Sequence, residues 1–267
     1  MAVMQADVPR FEMGRVVKRT FSVISHNIGT FALLSLIPGV PLAAMNWGMA
    51  GLPSGPAALS QLTLNTIGLF VLSILVYLVT TFVLQASVVH GTVADLNGKR
   101  ASFANCLATG IRHFVPLFLI ALLVGLGVMA GAILLIVPGI MIAVAWSVAV
   151  PVRVVEHTGV TPSLSRSSEL TKGHRWAIFG LVVAFVILQM IVGGVIGAFI
   201  GVGFVAASAD KASAAVAVTT SWLYIASTTI VTMITAVIAS AGIASIYYEL
   251  RTIKEGIGPE ALAAVFD

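Results

Sequence analysis

The residues of this sequence whose types admit chemistry are its five histidines and a set of glutamates placed among arginines. The histidines are His26, His90, His113, His157 and His174. A metal centre favours imidazoles at close helical spacing such as i, i+4, and no pair here has it. A pH sensor needs only an imidazole that changes charge near neutrality, and a polar aromatic ring at an interface needs neither property. Glu156, Glu169 and Glu249 lie among Arg153, Arg166, Arg175 and Arg251. Carboxylates and arginines in that pattern can do acid–base work, hold a phosphate-bearing headgroup, or form a structural ion-pair network. The sequence contains no GxSxG, no HExxH, no phosphate loop and no clustered His/Asp set. It therefore predicts no catalytic residues, no metal site, no cofactor and no enzyme.

The elements that position these residues follow from composition. Of 267 residues, 59% are hydrophobic and only 9% charged, whereas soluble domains carry about 25% charged residues. The class is integral membrane protein. A net charge of +4 without aromatic-interleaved basic patches is what positive-inside loops produce, and no nucleic-acid partner is expected. Cys106 is the single cysteine, which excludes an internal disulfide and any thiolate metal framework. Asp7, Pro9 and Glu12 precede any apolar run, unlike a cleaved signal peptide, so the N-terminus is expected to be retained.

Residues free of Asp, Glu, Lys and Arg form four blocks: Thr20–Ala94, His113–Val152, Trp176–Ala209 and Ala212–Tyr248. A spanning helix needs about 20 largely apolar residues. The first block holds two spans around the turn-rich Gly48–Ala58. The second holds two if Ile136–Gly139 turns tightly, with Pro138 as the first residue of the returning helix. The last two blocks hold one span each, divided by Asp210-Lys211. The fold prediction is all-α, with six transmembrane helices in three hairpins. A cytoplasmic amphipathic segment occupies 1–27, the six-helix bundle 28–250, and a cytoplasmic tail 251–267. In this plan thirteen of the fourteen basic residues fall on one face and only Lys211 on the other. That places both termini in the cytoplasm.

A threefold repeat is visible inside the plan. Its entries into the membrane read VISHNIGTFALL, ATGIRHFVPLFL and LTKGHRWAIFGL. They align His26-Asn27, Arg112-His113 and His174-Arg175, followed by Ile28, Phe114 or Trp176 and then by Phe31, Leu117 or Phe179. A stretch with helical character precedes each. In the first, Phe11, Val17, Phe21 and Ile24 are expected to face lipid, with Arg15, Lys18 and Arg19 near headgroups. Further surface helices are expected near 102–110 and 162–172, the latter capped by Thr161, opened by Pro162 and ended by Gly173.

No Asp, Glu, Lys or Arg falls inside a predicted span, which argues against proton coupling through intramembrane carboxylates. Gly193, Gly197 and Gly201 form a small-xxx-small ladder in the fifth span, and Gly127 and Gly131 form a shorter one in the third. Such faces let backbones approach, within one chain or between copies. Thr228, Thr232 and Thr235 recur at helical spacing in the sixth span. Their hydroxyls can bond their own i−4 carbonyls or line a pore. Asn65, Gln85 and Gln189 are further polar candidates for interhelical bonds.

The strings PGIMIAVAWSVAVPVRVVE, RSSELTKGHRWAIFG and YYELRTIKEG, with DLNGKRASFANCL before them, resemble a bacterial membrane-protein family. It is the membrane domain that precedes the catalytic domain in some glycerophosphoryl diester phosphodiesterases, and the similarity runs from Asp95 to Gly256. The resemblance implies a six-helix protein of the cytoplasmic membrane. It does not imply phosphodiesterase activity, which in that family belongs to a separate soluble barrel. No such barrel is expected here, since Asp267 follows soon after the last helix.

The functional expectation is a non-enzymatic protein that organises lipid or a membrane complex through a basic cytoplasmic face. Arg153, Arg166, Arg175 and Arg251 are the candidate contacts to anionic headgroups, and anionic lipid, a protein partner or a second copy are the expected partners. The alternatives are a transporter or channel for a small or amphiphilic solute and, more remotely, an enzyme acting on lipid phosphodiesters.

Overall fold

The computed structural model describes residues 11–50, 63–207 and 221–256, with the side chains at 49, 50, 65 and 201–207 excepted. Gly201, Asn65, the Asp210-Lys211 boundary, most of the expected turn at Gly48–Ala58 and residues 257–267 of the expected tail lie outside that description. The described residues are helical: α1 Met13–His26, α2 Ile28–Ala50, α3 Leu64–Leu96, α4 Phe103–Leu134, α5 Ile136–Ala145, α6 Ala149–Glu156, α7 Val160–Thr171, α8 Arg175–Ala207 and α9 Trp222–Glu255. Six segments among them are long and apolar enough to cross a membrane, α5 and α6 together counting as one.

Each break has a local cause. The chain reverses at the single extended residue Leu135, φ −164° and ψ 149°, rather than across Ile136–Gly139. Pro138 and Gly139 instead lie in the opening turn of α5. There Gly139 packs so closely on the preceding helix that a Cβ on Gly131 would stand 2.9 Å from its backbone. The pause at 146–148 between α5 and α6 follows from Pro151, which has no N–H for the Ser147 carbonyl and whose ring would crowd it. The Ala145 carbonyl, left without a helical partner, accepts from Ser167 Oγ at 2.8 Å and Thr171 Oγ1 at 3.2 Å. Two hydroxyls of α7 thus satisfy a polar group freed at the interruption, as a low-dielectric setting requires.

Three expectations for the surface segments change in detail. α7 begins at Val160 behind Gly159, so Thr161 lies inside it rather than capping it, while Gly173 at φ +94° does end the turn after it. Residues 103–110 form no separate helix; they are the first turns of α4, a continuous rod of 32 residues. On α1 the expected outward stripe divides. Val17 and Phe21 are exposed, but Phe11, just before the helix, packs against the core cluster that includes Leu170 and Ile178, and Ile24 against the one that includes Phe31 and Leu34. The inner face is Val16, Thr20 and Val23, and Ile24 stands one turn from Thr20, so it rotates inward with that face.

α3 and α9 form the centre, contacting α2, α4 and α1 around them. Burial is concentrated at one end. On α9 nearly every residue from Ser240 to Leu250 is buried, and on α3 the buried positions fall between Val83 and Val93. The opposite halves present Leu69, Leu72, Leu75, Ile230 and Ile234 outward, the composition of an acyl-chain contact. Within such a bundle, cohesion comes from close van der Waals packing and interhelical hydrogen bonds.

Candidate functional site

The tightly packed end also carries the charges, and side-chain bonds gather them there. Asn27, buried between α1 and α2, donates to Asp95 Oδ1 at the end of α3 across 2.8 Å. Its own Oδ1 accepts from the Ala101 N–H at 3.4 Å. Glu249, fully buried near the end of α9, accepts from Arg15 at 2.9 Å and also from Arg19. Glu156 accepts from Tyr247 Oη at 2.9 Å and from Arg166 Nε at 3.3 Å. Glu255 takes Arg251 Nε at 2.7 Å and a second guanidinium from Arg166.

The four candidate arginines thus have different surroundings. Arg166 and Arg251 are brought together and neutralised through Glu255. Arg175 donates to Ser168 Oγ at 3.2 Å, and Arg153 shares no carboxylate with any of them. The Nε atoms of both Arg153 and Arg175 are buried without a hydrogen-bond partner among the described residues. Of the six described carboxylates, Glu12, Glu156, Glu169, Glu249 and Glu255 are paired with arginine, while Asp95 accepts from Asn27 and has His26 Nδ1 3.5 Å away. The described chain has twelve lysines and arginines against these six, so the end retains surplus positive charge.

Part of that surplus surrounds a cleft of ≈ 380 Å³ between α3, α4 and the end of α6. Its polar lining includes His90, Lys99, Thr109, Arg112, His113 and His157, and no carboxylate. Gly110 allows α3 and α4 to close beside it, since a Cβ there would stand 2.5 Å from the Val83 carbonyl oxygen. His157 ends α6 in the left-handed region at φ 53°, a conformation histidine tolerates better than most residues. Its ring lies edge-on to His113, with centroids 5.5 Å apart. His113 is only 5% exposed, and neither of its ring nitrogens has a hydrogen-bond partner among the described residues. Leaving a buried polar group unpaired costs about 1–3 kcal/mol.

Among the described residues no three His, Cys, Asp or Glu side chains converge as a metal would require. What does converge is donor-rich and cationic, suited to an anion of headgroup size. The sequence placed these histidines at one boundary but tested them only for helical spacing. Three imidazoles from three separate segments carry no local signature.

Comparison with known families matches residues 112–261 to the membrane domain of glycerophosphoryl diester phosphodiesterase. The chain belongs to this family. The match opens at Arg112, so Asp95–Leu107, part of the resemblance seen in the sequence, lies outside it. The cleft straddles that boundary: His113 and His157 fall inside the membrane-domain match, His90, Lys99 and Thr109 before it. With six apolar helices of spanning length, this family member is a multi-pass membrane protein. No curated protein and no solved structure matches the chain.

The small-residue ladders of this membrane domain also divide. A Cβ on Gly127 would stand 2.3 Å from the Trp146 ring, and one on Gly131 would meet Gly139. Gly193 and Gly197 have no described atom of another element within 4 Å of a Cβ position. Thr228, Thr232 and Thr235 donate to their own helix at Tyr224, Thr228 and Val231, each at 2.8 Å.

Proposed function

We propose that the protein is a non-enzymatic component of the bacterial cytoplasmic membrane that organises anionic lipid through the charge-rich end of its bundle. In this reading the six spans form three hairpins, both termini are cytoplasmic, and α1 and α7 lie amphipathically at the headgroup level. The observation that supports it is the pairing of the acids at that end. Among the described residues the five glutamates are all paired with arginine, while Arg153 and Arg175 keep buried Nε atoms with no described partner. Each well-placed basic residue near an anionic leaflet contributes about 1 kcal/mol.

Native mass spectrometry from mild detergent or nanodiscs tests the reading. The expected result is an anionic lipid that stays bound to the wild type and is lost from the Arg153→Glu/Arg175→Glu variant. Equal retention by both would overturn it, and a co-purifying protein subunit in place of lipid would redirect it toward membrane-complex assembly.

A further inference from the structure

We infer that the cleft between α3, α4 and His157 is a binding site for the phosphate of a phosphate ester, a specific site resting on the lipid-organising reading above. Three observations carry it. The lining combines Arg112, Lys99 and three imidazoles with Thr109 and lacks a carboxylate, so no charged side chain in it would repel an anion. Arg153 also acts electrostatically on His113 from outside the lining. The buried His113 ring lines the cavity with both nitrogens unpaired among the described residues, leaving directional bonding capacity at its wall. The volume, ≈ 380 Å³, falls within the range of about 300–1,000 Å³ for small-ligand sites.

The charge argues for phosphate. Guanidinium presents parallel N–H groups that match phosphate oxygens, and Arg112 is exposed at the rim where a headgroup would enter. Lys99 adds a point charge, and the imidazoles can donate from the inner wall. A cation would be repelled by Arg112 and Lys99, and an uncharged ligand would leave both unanswered. The same chemistry accepts a lipid headgroup or soluble phosphate.

The test uses the full chain in nanodiscs, with inorganic phosphate as one probe and phosphatidylglycerol doped into a zwitterionic bilayer as the other. Arg112→Glu reverses charge at an exposed position, so folding is not at issue. His113→Phe fills the ring volume without nitrogens, and its thermal midpoint checks the fold. Lys18→Ala, an exposed cation on α1 outside the cleft, is the control. Binding of at least one probe should fall tenfold or more in both cleft variants and hold in the control. Loss for inorganic phosphate identifies a soluble ligand; loss for phosphatidylglycerol alone identifies a headgroup. Unchanged binding of both probes in the cleft variants, or no binding of either to the wild type, overturns the site. If Arg153→Glu/Arg175→Glu sheds lipid while the cleft variants keep both probes, the cleft falls and the broader reading stands. If the wild type holds no anionic lipid but cleft-dependent phosphate binding is present, the cleft stands and the broader reading falls.

Discussion

The Arg15 guanidinium reaches the fully buried Glu249 carboxylate at 2.9 Å across 234 positions of sequence, and Arg19 reaches the same carboxylate's other oxygen. The two arginines stand one turn apart on α1, so a single acid on α9 holds one face of that helix. Removing either leaves Glu249 one partner, whereas removing both leaves a buried charge unanswered. The Arg15→Ala/Arg19→Ala double variant is expected to lose about 3–5 kcal/mol, more than the sum of the singles. Reversible unfolding in mixed detergent measures this, and additive losses would show that the two cations do not share one acid.

The Asn27 amide joins the α1–α2 junction to Asp95 and to the Ala101 N–H. Asn27→Leu should cost about 1–3 kcal/mol, because it strips buried partners rather than exposed ones. Asn27→Asp should cost more, since it sets a second carboxylate against Asp95. The order of the two in thermal denaturation is the readout.

Two glycine ladders with the same spacing should respond oppositely. Gly131→Ala forces a methyl against the Gly139 backbone and is expected to cost about 1–3 kcal/mol as overpacking. Gly197→Ala meets no described neighbour and should be neutral or stabilising by up to about 1 kcal/mol through backbone entropy. Comparable losses at both sites would mean that the Gly197 face is covered, which cross-linking would then reveal.

His174 lies between α7 and α8, with its ring 5.7 Å from that of Phe11. Burial, and then the charge of Lys254, hold its pKa below the ordinary histidine value of 6.5. The unfolded chain therefore binds the proton more readily. Its contribution to stability is complete above about pH 6.5 and is lost progressively as pH falls through the lowered folded value. His174→Phe keeps a ring on Phe11 and removes the titration. The wild-type midpoint should fall relative to this variant on acidification, and parallel pH profiles would refute the assignment.

The spans were legible because a long apolar run announces itself locally, and the end at Gly173 came with a residue suited to a positive φ. The pause near Pro151 was not legible, and Pro38, Pro41 and Pro116 lie inside helices. The aligned repeat positions carried no burial reading: Phe31 and Leu117 are buried, while the third, Phe179, is only partly so. The cleft was not legible either. His90, His113 and His157 become neighbours only when α3, α4 and α6 pack, and Gly110, which permits that approach, looks like any other glycine in a long apolar helix. Pairing was hidden as well: nothing in the string distinguishes Arg166, which shares Glu255 with Arg251, from Arg153, which has no acid among the described residues. Which guanidiniums remain available is decided by tertiary geometry.

α8 touches chiefly α9 and α5, and only 6% of its most apolar window is buried inside the protein. Its 33 residues run for about 50 Å, against a hydrocarbon slab of about 30 Å. Among the described residues little opposes a change in its inclination, so the surrounding bilayer is expected to set it. In a thinner membrane α8 leans further, and in a thicker one it stands up, at a cost of fractions of a kcal/mol per Å. Its first residue is tied by Arg175 to Ser168 on α7, whose hydroxyl neighbours Ser167 and Thr171 hold the interrupted span at Ala145. Membrane thickness thereby has a mechanical lever on the polar end of the molecule.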